Sequence, residues 1–80
     1  MDFIDVGFGN YVARSRIVAV ASPDSLPVRR LVQDAKSVNR VIDVSCGKKT
    51  KSVILTDSEH VILSALDTFE ISGSLNGGAA

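Results

Sequence analysis

Arg16-Ile17-Val18-Ala19-Val20-Ala21-Ser22-Pro23-Asp24-Ser25-Leu26-Pro27-Val28-Arg29-Arg30-Leu31-Val32-Gln33-Asp34-Ala35 is the stretch on which the reading of the fold turns. Its period changes midway. Ile17 to Ala21 is an unbroken apolar run, stopped by Ser22-Pro23-Asp24, and predicts a strand from Arg16 to Ala21 buried on both faces. Beyond the stop, Val28, Leu31, Val32 and Ala35 recur at i, i+3, i+4 and i+7, one stripe of a helix. Ser25 stands at the N-cap, and Pro27 falls in the first turn, where its missing N–H is no loss. Arg29, Arg30, Gln33, Asp34 and Lys36 then face solvent, and Asn39 closes the helix. Strand and helix side by side make this a mixed chain.

Toward the N-terminus, Phe3 to Val6 reads as a short strand cut off by the turn-rich Gly7-Phe8-Gly9-Asn10, with Tyr11 and Val12 extended again toward Arg14. Toward the C-terminus the pattern is β. Arg40 to Ser45 alternates, with Ile42 and Val44 on one face and Asp43 and Ser45 on the other. Cys46-Gly47-Lys48-Lys49-Thr50 is a turn, Ser52 to Thr56 a strand, Asp57-Ser58-Glu59 a turn and His60 to Ala65 a strand. Two hairpins in succession predict a meander. Asp67 followed by Glu70 has the spacing of a capping box and predicts a short final helix. Gly73 to Ala80 reads as a frayed tail. The expected class is α+β: a small, mostly β domain over residues 1–72, with one main helix after the second strand, and a flexible tail over 73–80.

Composition bounds the rest. Eighty residues fit one domain, and a domain of this size buries only roughly 60–65% of its unfolded surface. Hydrophobic residues make up 45% and the mean hydropathy is positive, too apolar for disorder. That excess, mostly Val, Ile, Leu and Ala, suits burial against further copies of the chain. The longest apolar run, Ile17 to Ala21, is far short of the roughly 20 residues of a membrane helix. The start, Met1-Asp2-Phe3-Ile4-Asp5, is acidic where a signal peptide is basic. Cys46 is the only cysteine, so no disulfide forms within the chain. The expectation is a cytoplasmic protein with no membrane partner.

Nine basic and nine acidic residues sum to zero, but unevenly. All nine bases lie between Arg14 and Lys51, opposed there only by Asp24, Asp34 and Asp43, which leaves +6. Asp2 and Asp5 precede this middle, and Asp57, Glu59, Asp67 and Glu70 follow it. A fold that keeps these segments apart gains a face attractive to polyanions.

The constellations that suggest other chemistry are thin. Gly7-Phe8-Gly9 lacks the third glycine and following helix of a dinucleotide loop, and reads better as a sharp turn. Asp57, Glu59 and His60 would need further ligands to hold zinc, so a solvated turn explains them. Cys46 beside Lys48 and Lys49 would need His60 as a base to form a catalytic dyad, and a packing role is the simpler account. No catalytic set, metal site, cofactor or small-molecule substrate is expected; the chain does not read as an enzyme. The basic cluster is stronger. Lys48, Lys49 and Lys51 crowd one turn, Arg14 and Arg16 flank the entry to the buried strand, and no acid lies between Asp43 and Asp57. Such cations repel one another unless an anion relieves them.

The strings themselves are familiar. Ile4-Asp5-Val6-Gly7-Phe8-Gly9-Asn10, Arg16-Ile17-Val18-Ala19-Val20, Pro27-Val28-Arg29-Arg30, Gly47-Lys48-Lys49-Thr50-Lys51 and Asp57-Ser58-Glu59-His60-Val61-Ile62-Leu63-Ser64-Ala65 resemble the RemA-like extracellular matrix regulators of bacteria, without an obvious gap from residue 3 to 66. The resemblance implies a LytTR-like fold and homo-oligomeric rings, an octamer among the candidate sizes. It further implies binding to double-stranded DNA and activation of biofilm-matrix genes. The family's basic positions match Arg16, Lys48, Lys49 and Lys51. Relatives carry arginines at the turn where this chain has lysines, which lack the bidentate fork used on guanine edges. The alternative is a structural or protein-interaction oligomer whose basic turn meets acidic partners.

Overall fold

A computed structural model describes residues 2–77. β1 (Phe3–Gly7) and β2 (Asn10–Ala13) form an antiparallel hairpin, and the single 3₁₀ turn Arg14–Arg16 leads into β3 (Ile17–Ala21). Next come α1 (Leu26–Ser37), β4 (Val41–Asp43), β5 (Ser52–Thr56), β6 (Val61–Ser64) and α2 (Thr68–Gly77). β3 to β6 make one four-stranded sheet in the order β3-β5-β6-β4.

The helix ends follow from their residues. Ser25 is extended at the N-cap of α1, and Pro27 sits in the first turn. Asn39, with a φ of 58°, closes the other end. Its N–H donates to the Lys36 carbonyl at 3.2 Å, and the Arg40 N–H reaches back to Ala35 at 2.9 Å. This pair of bonds is a Schellman motif. In α2 the Asp67 carboxylate accepts the Glu70 N–H at 2.8 Å, the bond expected of a capping residue.

The sheet separates two apolar layers. On one face, α1 lays Ala35, Val28 and Val32 against Val53, Leu55, Val61 and Leu63. On the other, Ile54 and Ile62 meet Ile4 and Val6 from β1 and Ile71 from α2. The Ser64 hydroxyl ties β6 to β1 by donating to the Val6 carbonyl at 2.7 Å. The α+β class stands, with two helices and a majority of short strands in two sheets.

Three local expectations need correction. β3 is not buried on both faces. It is an edge strand, and Val18, its second residue, is 69% exposed. The strands covered on both faces are β5 and β6, whose residues alternate between the two layers. Nor is there a meander. β5 and β6 form the predicted hairpin around Asp57-Ser58-Glu59, but β4 pairs parallel with β6, Val41 opposite Val61. The connection from Val44 to Lys51 is eight residues long, beyond the two to five usual in a hairpin. It carries the chain past β6 to insert β5 beside β3. The result is a split β-α-β unit, β3-α1-β4, with the β5–β6 hairpin between its strands. A helix roughly 10 Å across covers two strands spaced about 4.8 Å apart, so the split gives α1 a floor to lie on. Finally, α2 continues through Gly77, past the Gly73 where the tail was expected to begin. The remainder of that tail, residues 78–80, lies outside the described residues.

Candidate nucleic-acid interface

The long connection after β4 is anchored at both ends. Asp43 Oδ1 accepts the Ser45 N–H at 2.9 Å and the Ser45 hydroxyl at 2.6 Å, and Ser45 itself is buried. The hydroxyl bond first, then the backbone bond and the Lys36 charge, hold the Asp43 carboxyl below the usual aspartate range. Cys46 and Gly47 follow in left-handed conformations, φ 53° and 78°, which reverse the chain. The Lys48 N–H closes the turn on Ser45 at 3.0 Å, and the Lys51 N–H docks on the Ser64 carbonyl at 2.8 Å. Between these anchors the lysines stand exposed.

Lys48, Lys49 and Lys51 share one concavity of about 590 Å³ with Asp5, Gly7, Phe8, Ala65 and Leu66. The β1–β2 turn therefore lies beside the basic turn. Asp5 is occupied within that hairpin, accepting the Gly7 N–H at 2.8 Å. None of the three lysines makes an ion pair among the described residues. Thr50 lines a separate groove on the α1 side of the sheet, with Arg29 and Lys36. Sequence reasoning left these two among solvated helix residues. Their spacing of seven, two turns apart on one face of α1, groups them with each other but not with the lysines.

Arg14 and Arg16 lie elsewhere. Arg16 sits beside the start of β3 and pairs through Nε with Asp57 Oδ1 at 2.9 Å. Asp57 follows the last residue of β5 and Lys51 precedes its first, so Arg16 and the lysines stand at opposite ends of a strand about 17 Å long. Arg14 is turned inward. Its guanidinium donates to the carbonyls of Ser74, at 3.1 Å, and of Leu75, and its Nε lies 3.5 Å from Asp2. It holds the C-terminal end of α2, where the helix dipole favours a cation.

His60 and Cys46 also fall at opposite ends of the β5–β6 hairpin, so they form no dyad. His60 Nδ1 instead shares a 2.8 Å hydrogen bond with the Ser58 hydroxyl inside its own turn. Among the described residues no three potential metal ligands come together, and no helix is long and apolar enough to cross a membrane.

The family Extracellular matrix regulatory protein A-like (RemA-like) matches residues 3–75. A protein of Dictyoglomus turgidum named "Putative regulatory protein" is 49% identical over 78 residues, covering 98% of this chain and 92% of its own length. Proteins carrying the same description in Synechococcus elongatus and Nitratidesulfovibrio vulgaris are 49% and 55% identical over 72 and 65 residues. These cover 90% and 81% of this chain, and 83% and 76% of their own lengths. The aligned span takes in both sheets, the basic turn and most of α2. The chain is a regulatory protein and belongs to the RemA-like family.

Proposed function

We propose that this chain is a cytoplasmic DNA-binding transcription regulator that works as a homo-oligomeric ring and activates biofilm-matrix genes. The observation that carries the reading is the gathering of Lys48, Lys49 and Lys51 in one concavity, free of any ion pair among the described residues. Each lysine that meets a phosphate releases a condensed counterion, which is the main driving force of backbone binding. A point charge reads no base, so affinity is spread over many sequences. One subunit offers few phosphate contacts; a ring repeats them and gains through effective concentration. Presentation on a curve favours DNA that bends easily. Arg16 is 60% exposed in its side chain and can exchange Asp57 for a phosphate, whereas Arg14 is committed to α2.

The test is a Lys48→Ala, Lys49→Ala double variant, compared with the native protein by light scattering and by binding to duplex DNA across a salt series. The variant should keep its assembly and lose affinity similarly for unrelated sequences. Its log affinity against log salt should flatten by about one contact per lysine per engaged subunit. An intact oligomer with unchanged affinity and slope removes the basic turn from the mechanism. A native oligomer that fails to retard DNA at low salt favours binding to acidic protein partners instead. A folded monomer under the same conditions discards the ring.

A further inference from the structure

Phe8 is a residue that folding does not explain. It occupies the tip of the β1–β2 hairpin with a φ of 55°, between Gly7 at 106° and Gly9 at 78°. Positive φ at both central residues is the pattern of a type I′ turn, whose preferred residues are Asn, Asp and Gly. A bulky side chain there is an outlier, held in a sterically disfavoured left-handed conformation. Nothing is recovered by burial, since Phe8 is 55% exposed. The turn is nonetheless held firmly. Asp5 accepts the Gly7 N–H at 2.8 Å, and the Asn10 side-chain amide donates to the carbonyls of Gly7, at 2.9 Å, and Phe8, at 3.4 Å. A strained, exposed aromatic ring is thus presented on a tied turn, in the same concavity as Lys48, Lys49 and Lys51.

We infer that Phe8 is a wedge that enters a base step of the DNA whose backbone the lysines grip. An apolar side chain so inserted partly unstacks the step and kinks the duplex by about 20–90°. Pre-ordering of the turn lowers the entropy lost on insertion. The neighbouring cations hold the phosphates against the repulsion that bending creates. Flexible pyrimidine–purine steps are then preferred, so sequence is selected through deformability by a chain whose lysines cannot read base edges. This inference rests on the DNA-binding reading above.

The experiment uses the full chain and a short duplex labelled at both ends, with affinity, salt slope and end-to-end energy transfer measured together. The native protein should bring the ends closer. Phe8→Ala should bind roughly five- to tenfold more weakly and lose the bend, with its salt slope unchanged because no counterion is involved. Phe8→Leu, still an apolar wedge, should keep the bend. Phe8→Asn should lose it while melting at least as high as the native protein, since Asn suits the left-handed turn, which separates lost function from lost fold. A Phe8→Ala protein that binds and bends as the native one does overturns the wedge. So does native binding that carries the full salt slope without bending. Failure of the native protein to bind any duplex overturns the underlying reading, and the wedge with it.

Discussion

Arg14 and Lys48 carry the same charge in opposite circumstances. Arg14, 23% exposed in its side chain, spends its donors on the last carbonyls of α2 and on Asp2. Arg14→Ala should cost about 1–2 kcal/mol in urea unfolding and leave the salt dependence of DNA binding untouched. Lys48→Ala should do the reverse, within about 0.5 kcal/mol of native stability but with a shallower salt slope. The lysine turn was legible in the sequence because three cations in four residues form a local pattern. Arg14 was not, because its partners lie sixty and sixty-one residues further on. Phe8 was legible only as part of a sharp turn. What makes it unusual is a dihedral angle and an exposure, and neither is written in residue type.

At the scale of elements, β3 is apolar throughout yet lies at an edge, whereas β5, apolar only at Val53, Ile54 and Leu55, lies inside the sheet. Ile54→Ala should cost about 2–5 kcal/mol by thermal unfolding, since its side chain is fully buried between β1 and α2. Val18→Ala near the start of β3 should cost less than about 1 kcal/mol; a larger loss would mean that assembly covers this edge. Periodicity identified the strands and α1, and the Asp67–Glu70 spacing identified α2, since each is a local property. It could not say which strand lies at an edge, nor that β4 runs parallel to β6, because those facts depend on the whole strand order. Asp43 gives the end of β4 a dependence on acid. Its folded carboxyl takes up a proton less readily than an unfolded one, so its contribution is complete above the ordinary aspartate value, about 3.9, and disappears as pH falls through the lower folded value. Asp43→Asn should flatten that part of the stability profile, measured as melting temperature from neutral pH down to about pH 3.

For the whole molecule, the two faces of the sheet separate two kinds of duty. α1 covers one face, where Arg29 and Lys36 line a groove with Thr50. The other face is closed by β1 and α2, so Ile4 and Val6, near the beginning of the described chain, pack in one cluster with Ile71. That closure sets a timetable during synthesis. The first strand emerges from the ribosome long before the helix that must cover it, and loop closure over such a separation is slow. Until residue 71 is free, the apolar faces of β1, β5 and β6 have only one another, and a nascent chain is exposed to aggregation for that interval. Because Ile4 and Val6 share their cluster with Ile71, this layer of the core closes only once residue 71 has joined it, however early β1 was made.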